Sequence, residues 1–518
     1  MPSAVSSFAS FPSLNNSVPT RTRKRILDES CSPVAAWTNK RVKSGLSAVP
    51  AGTLSPTSVG AYALTGSEIV ARLMTSDELE VSHNIEVILG HPTTVGRGNH
   101  CNYVIKSSVV SNVHFRLYAV SSSEGGTIVS CEDLSSNGLL WNNHKIRRTA
   151  IIIHHGDILQ IPGSQTFHVQ MDKYKQRKAM PFDPTPPQRP KERGGTAGNY
   201  VITSHTLGSG HFATVHLGFD SARQRQVACK TIKACKGAEV MKEVMKEIKI
   251  LSSLNHPNIN RVLGYIEEDP WMHIFLELST GGDLFTYITS QTRLEEGEAK
   301  FLGYQLVLGL IYMHDLNVSH RDLKPENILI CAPRAYPRVQ IADFGLARDR
   351  SHEPAFSAVG TMAYLPPEAV VGLVGRAHPP GRNGEKRGYD GKKVDCWSLG
   401  VTLYTMLSGM HPFDYQGESS QRTVRHGASQ PSQVTLGESQ RSEAEAEAEA
   451  VIVYDRIIAG RVDMDYHPWL DMPEAASIVR KLLVYQPNGR WSVASAMQHP
   501  WIQRDIKKLE KMYHNLMK

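Results

Sequence analysis

HRDLKPEN, residues 320–327, is the stretch on which the reading of this chain turns. It crowds a histidine, two cations, two carboxylates and an amide into a few residues. LEEGEAKFLGYQLVLGLIYMHDL (294–316), just upstream, has the spacing and length of a helix. Taken alone, HRDLKPEN reads as a charge cluster closing that helix. Its meaning comes from what stands on either side of it.

Outward from it, short motifs follow one another. Leu207-Gly208-Ser209-Gly210-His211-Phe212-Ala213-Thr214-Val215 is a loop rich in small residues, whose backbone can close over phosphates. Val227-Ala228-Cys229-Lys230 lies on a predicted strand, and KEIKILSSLNHPNI (246–259) comes next and carries Glu247. Downstream stand Asp343-Phe344-Gly345, Gly360-Thr361 and Pro366-Pro367-Glu368. Asp395-Cys396-Trp397-Ser398-Leu399-Gly400 then opens a long helix, and Arg490 follows near the end.

Jointly, from about 200 to 501, these motifs resemble a protein kinase. Lys324 within DLKPEN resembles the serine/threonine branch. The resemblance implies an α+β fold of two lobes, with ATP and Mg²⁺ as cofactors. It implies that residues 207–215 cover the phosphates, that Lys230 holds the α- and β-phosphates with Glu247 as its ion-pair partner, and that Glu277 and Asp283 complete the nucleotide site. Asp322 would orient the substrate hydroxyl and accept its proton, with Lys324 beside it. Asn327 and Asp343 would hold the metal, and Arg490 would pair with Glu368. The chemical logic is charge: a transferring phosphoryl group needs fixed cations and donors around it. Three departures stand out, namely Ala213 in the loop, PPE at 366–368 and Gln486 before Pro487. None removes a catalytic group.

The region from about 66 to 172 reads differently. EIVARLM, IEVILG, YVIKS, HFRLYAV, GTIVSCEDL, IIIHHGDILQI and FHVQM are short β-type runs divided by Gly, Asn and Ser turns. That pattern predicts an all-β sandwich. Its inter-strand segments hold Gly96-Arg97, Ser111-Asn112-Val113-His114-Phe115 and Asp133-Leu134-Ser135-Ser136-Asn137-Gly138. These resemble a forkhead-associated domain, a reader of phosphothreonine. The resemblance assigns the phosphate to Arg97 and Ser111 and the peptide backbone to Asn137, with Asn112 and Ser136 nearby and His114 as scaffold. Arginine suits the task because its planar fork of donors matches phosphate oxygens.

Composition sets the outer limits. The chain has 518 residues, 41% hydrophobic and 21% charged, with a formal charge of +7. That balance suits globular domains and is no nucleic-acid signature. No apolar run is long enough to span a membrane. Seven scattered cysteines without a C-x-x-C pair predict a reducing compartment, with neither a disulfide framework nor a zinc site. Residues 1–65 read as a disordered basic tail. Its clusters Arg21-Thr22-Arg23-Lys24-Arg25 and Lys40-Arg41-Val42-Lys43 resemble a bipartite nuclear localisation signal, or else are simply a solvated basic tail. Residues 173–199 form a Pro- and Gly-containing linker. A low-complexity insert at 414–450 interrupts the kinase region, and 502–518 reads as a helical tail.

The order of the two domains resembles the DNA-damage checkpoint effector kinases of the checkpoint kinase 2 type. It implies phosphothreonine-containing partners, protein substrates, an upstream Ser-Gln-directed kinase, a phosphorylation-dependent homodimer and a nuclear location. Ser357 and Ser351 are the activation-segment phosphorylation candidates, with Arg321 as phosphate partner. The insert carries Ser420-Gln421, Ser429-Gln430, Ser432-Gln433 and Ser439-Gln440, and is either a tolerated loop or the input for that upstream kinase. In the tail, Ile502, Ile506, Leu509, Tyr513 and Leu516 share one helical face, which packs on the larger lobe or binds calmodulin. A calcium-regulated kinase and a non-catalytic phosphothreonine scaffold are the competing readings.

Overall fold

A computed structural model describes residues 68–76, 82–122, 126–171, 192–195, 198–209, 213–233, 245, 248–268, 271–343, 363–374, 390–413, 453–460 and 462–517. The tail 1–65, most of the linker, Gly210, His211, Phe212, Glu247, Ser351, Ser357 and the insert 414–450 lie outside the described residues.

The first unit is a sandwich of two sheets. One takes β1 (Ile69–Ser76), β2 (Ser82–Ile88), β7 (Leu139–Trp141), β8 (His144–Ile146), β10 (Ile158–Gln160) and β11 (Thr166–Met171) in the order β2-β1-β11-β10-β7-β8. The other takes β3 (Thr93–Gly96), β4 (Tyr103–Val104), β5 (Phe115–Ser121), β6 (Thr127–Asp133) and β9 (Ala150–Ile152) in the order β4-β3-β5-β6-β9. Alternation explains the core. Phe115, Leu117 and Ala119 of β5 and Val129 and Cys131 of β6 point inward and are buried. Phe115 meets Phe167 of the opposite sheet edge-to-face at 5.4 Å. The opposite face of the same two strands carries Arg116, Tyr118, Ser130 and Glu132, paired Arg116 to Glu132 and Tyr118 to Ser130. That face is also covered, since Tyr118, Ser130 and Glu132 are buried.

The kinase unit begins with a six-stranded antiparallel sheet in the order β12-β13-β14-β15-β17-β16. Its strands are β12 (Glu192–Gly195), β13 (Gly198–Ser209), β14 (Ala213–Asp220), β15 (Arg225–Lys233), β16 (Val262–Glu268) and β17 (Trp271–Glu277). The larger lobe follows: α1 (Leu284–Ser290), α2 (Glu296–Asp315), the hairpin β18 (Ile328–Ile330) and β19 (Val339–Ile341), α3 (Pro367–Val374), α4 (Gly391–Ser408), α5 (Pro473–Leu482), α6 (Val493–Met497), α7 (Pro500–Gln503) and α8 (Ile506–Leu516). Helices α2 and α4 are buried around most of their circumference, as the central helices of a lobe must be.

Several local expectations need correcting. The run IIIHHGDILQI is two strands, β9 and β10, because Gly156 turns between them at φ +87°. The long helix opened by Asp395-Cys396-Trp397-Ser398-Leu399-Gly400 stops at Ser408, short of the apolar run that continues to Phe413. Gly409 caps it at φ +76°, and a side chain there would meet the Thr292 carbonyl. Near the end of the chain, α5 begins at Pro473, a residue suited to a first helical turn, and ends at Leu482. The short strands β3, β7 and β8 carry no periodicity long enough to read from sequence.

The C-terminal helix α8 lies on α2. Tyr513 donates to Asn258 at 2.8 Å and meets Tyr304 edge-on, Lys300 pairs with Asp505 at 2.6 Å, and Leu509 is buried. The apolar face that a calmodulin-type partner would need is already covered within the chain.

Buried histidines predict the acid response. Burial lowers the pKa of His411 from 6.5 to about 4, against a hydrogen bond to Ala363 that raises it. Burial, then the neighbouring His205, lowers His154 to about 4, with Asp157 opposing. The unfolded chain therefore binds protons that the folded chain refuses between these values. Stability should be complete above about pH 6.5 and decline as pH falls through 4. The midpoint of thermal unfolding followed across that range checks this, and a flat profile would contradict it.

Candidate active site and phosphothreonine face

The cleft is assembled from strand register. Gly208 pairs with Val215 and Ser209 with Thr214, so the loop residues Leu207, Gly208, Ser209, Ala213, Thr214 and Val215 form the base of the β13–β14 hairpin. Val215 stands opposite Lys230 on β15. Lys230 is 12% exposed, and its ammonium pairs with the Asp343 carboxylate. This brings together two residues 113 positions apart, one from each lobe.

The catalytic loop is held by its backbone. Arg321 and Asp343 have φ +66° and +64°, a region that costs about 1–3 kcal/mol for residues other than glycine. Asp395, fully buried at the head of α4, accepts from the Arg321 amide at 2.7 Å and the His320 amide at 2.9 Å. Its Oδ2 is also 2.9 Å from His314 Nε2. His320 in turn bridges the loop to the residue before Asp343. Its Nδ1 accepts from the Asp322 amide at 3.3 Å, and its Nε2 donates to the Ala342 carbonyl at 2.8 Å. Asp395 stood in the sequence as the opening of a helix, and its service to the loop was not read. Its place in the DCWSLG motif was the available signal.

Around the reacting group, Asn327 Nδ2 donates to the Asp322 carbonyl at 2.7 Å and to its Oδ2 at 3.1 Å, and Lys324 Nζ is 3.6 Å from the same oxygen. The Asn327 amide carbonyl and the half-exposed Asp343 carboxylate are oxygen donors. Among the described residues no group of three or more His, Cys, Asp or Glu could enclose a metal. Two protein oxygens fit Mg²⁺, which takes its remaining ligands from phosphates and water.

Two nucleotide-site expectations change in character. Glu277 turns its carboxylate to Arg338 at 2.8 Å, and its carbonyl accepts from Asn260 at 2.9 Å. Asp283 is the N-cap of α1, accepting from the Thr286 amide at 2.7 Å and hydroxyl at 3.1 Å. Both carboxylates are engaged in building the connection between the lobes.

Arg490 and Glu368 meet as expected. The guanidinium is fully buried and uses all five donors: Glu368 Oε1 and Oε2 at 2.8 and 3.0 Å, and the carbonyls of Lys393, Val484 and Tyr485 at 2.8, 3.1 and 3.2 Å.

At one end of the sandwich the loops lock together. Arg97 N–H donates to the Ser111 carbonyl at 2.8 Å and Gly98 N–H to that of Asn112 at 2.9 Å. A side chain at Gly96 would lie 2.4 Å from the Asn112 carbonyl, so only glycine allows this approach. Ser111 Oγ accepts from the Ser136 amide at 3.2 Å, and Asn137 Nδ2 donates to the Val109 carbonyl at 3.3 Å. His114 is buried and ties both loops. Its Nδ1 accepts from the Ser111 amide at 3.2 Å, and its Nε2 faces the Gly138 carbonyl at 3.3 Å. Burial lowers its pKa, against the Gly138 hydrogen bond and the Asp133 charge, so the neutral ring does this work. Arg97, Asn112, Ser136 and Asn137 are exposed. Among the described residues the Arg97 guanidinium makes no hydrogen bond or ion pair.

Comparison with known proteins identifies the two domains. The family described as protein kinase domain matches residues 201–502, and the family described as FHA domain matches 93–162. The meiosis-specific serine/threonine-protein kinase mek1 of Schizosaccharomyces pombe is 31% identical, over 87% of this chain and 90% of that protein. The meiosis-specific serine/threonine-protein kinase MEK1 of Saccharomyces cerevisiae is 26% identical, over 83% and 84%. A crystal structure of Rad53 1–466 in complex with AMP-PNP is 24% identical, with TM-score 0.44, over 84% of this chain and 100% of that one. The chain belongs to the protein kinase family, as a serine/threonine kinase that carries an FHA domain.

Proposed function

We propose that this kinase docks on phosphothreonine of a partner protein and there transfers the ATP γ-phosphate to protein serine or threonine, in checkpoint signalling on damaged, replicating or meiotic DNA. The observation that carries the reading is the exposed Arg97 guanidinium, without a partner among the described residues, on a loop whose amide binds the Ser111 carbonyl, in a chain whose other unit pairs Lys230 with Asp343 and Asn327 with Asp322. The meiotic element follows the printed names of the two relatives above.

In the reaction, the substrate hydroxyl oxygen attacks the γ-phosphorus, the bond to the ADP oxygen breaks, and the hydroxyl proton passes to Asp322. Asn327 and Lys324 both address Oδ2 of the Asp322 carboxylate and fix its orientation. Lys230 supplies charge for the phosphates. Mg²⁺, held by Asn327 and Asp343, neutralises phosphate charge when bound. Glu326, exposed in the catalytic loop, favours a basic residue near the target hydroxyl. The exposed Arg321, whose guanidinium makes no hydrogen bond or ion pair among the described residues, is the cation for a phosphate on Ser357 or Ser351.

Input comes from a Ser-Gln-directed kinase acting on the insert, in the nucleus, with activation between two copies. The test uses the purified full chain. Prior treatment with a Ser-Gln-directed kinase should raise its activity, and Arg97→Ala should weaken binding to a phosphothreonine peptide by about 10–100-fold, the worth of charge-assisted hydrogen bonds. Unchanged peptide affinity would remove the docking role, and unchanged activity the proposed input.

A further inference from the structure

The outward face of β5 and β6 is buried because it lies on the kinase, and the contacts reach both lobes and the segment between them. Thr280, fully buried just beyond β17, donates its hydroxyl to the Cys331 carbonyl at 3.1 Å. That hydroxyl therefore accepts from Tyr118, 2.6 Å away. Ser130 Oγ donates to the Thr280 carbonyl at 3.3 Å. On the larger lobe, Arg334 donates to Glu132 at 2.7 Å, while Arg116 of the neighbouring strand donates Nε–H to the other Glu132 oxygen at 3.2 Å.

On the smaller lobe, the Gln226 side chain pairs with the open edge of β9. It accepts from the Ile152 amide at 2.7 Å and donates to the Ile152 carbonyl at 2.8 Å. This supplies the partners an edge strand otherwise lacks. Gln226 lies on β15, the strand that carries Lys230. Nearby, His144 bonds Gln224 at 2.6 Å and meets the Phe219 ring at a tilt, 5.0 Å between centroids.

One rigid sandwich thus grips β15, the hinge and the β18–β19 connection. Rotation of one lobe against the other would break buried hydrogen bonds at one or more of these points, and an unmade buried bond is costly. The nucleotide binds between those same lobes. We propose that the sandwich is a brace that sets the angle between the kinase lobes, with Tyr118, Glu132 and Gln226 as positioning residues for nucleotide binding. They act through Thr280, Arg334 and β15. The inference rests on the kinase reading of the cleft.

The experiment compares full-length Tyr118→Phe, Glu132→Gln and Gln226→Ala with wild type. KM for ATP should rise about 3- to 10-fold, the usual worth of one hydrogen bond, with kcat changed less than about twofold. Phosphothreonine-peptide affinity should stay the same, since among the described residues no hydrogen bond or ion pair joins these side chains to Arg97, Ser111 or Asn137. By hydrogen exchange, the Ile152 amide should be protected in wild type and lose protection in Gln226→Ala. The brace is overturned if folded variants keep the wild-type KM for ATP, or if wild-type Ile152 exchanges like an open loop. Should wild type transfer no phosphate, the kinase reading fails instead, and AMP-PNP affinity with Ile152 exchange still reports on the brace.

Discussion

Asp322→Ala is expected to lose about 10³-fold in kcat while keeping its fold and its affinity for ATP. The side chain is short and 13% exposed. Its carboxylate is addressed by Asn327 at 3.1 Å and Lys324 at 3.6 Å, both of which can turn to solvent or phosphate once it is gone. The loop backbone stays in place because Asp395 and His320 hold it. Loss in kcat without loss of ATP binding separates a proton acceptor from a residue of the nucleotide site. Asp322→Asn should fall nearly as far, since the amide preserves shape but cannot take the proton. Steady-state kinetics on purified protein decides the matter, and near-normal turnover in either variant would refute the assignment.

The second large effect concerns stability. Glu368→Ala should destabilise the larger lobe by roughly 3–5 kcal/mol, because it strands a buried cation. Arg490 shows no side-chain exposure and lies 5.0 Å over the Trp397 ring, so its charge stays buried when Glu368 is gone. Arg490→Lys should cost a similar amount. A lysine ammonium has three donors, and the site has five acceptor contacts in a planar fork. Urea unfolding followed by tryptophan fluorescence reads the change, Trp397, Trp469 and Trp501 all being buried in that lobe. A loss under about 1 kcal/mol would show that the pair is solvated, and that its place in the lobe has been misjudged.

Much of the catalytic face was legible because phosphoryl transfer constrains residue type. Lys230, Asp322, Asn327 and Asp343 each need one chemistry, and their order along the chain is kept by the fold. Glu277 and Asp283 were less legible. A carboxylate near a nucleotide site looks the same in sequence whether it meets a ligand, a neighbouring arginine or the first turn of a helix. Asp395 illustrates the reverse case, in which a motif residue was visible while the two backbone amides it serves were not. Gly409 shows why boundaries slip, since an apolar run continues to Phe413 and only the left-handed backbone ends the helix.

By itself the sequence determined the two units, the strand alternation of the sandwich, the long helices and the chemistry of both sites. These depend on residue type at short spacing, which composition and periodicity carry directly. Only the tertiary structure decided that β5 and β6 are buried on both faces. Arg116, Tyr118, Ser130 and Glu132 alternate with apolar residues as a solvent-facing set would, and nothing within either strand says that a hinge covers them. Burial of a polar face depends on partners at Thr280 and Arg334, more than a hundred residues away, and a local pattern carries no information about a contact at that range.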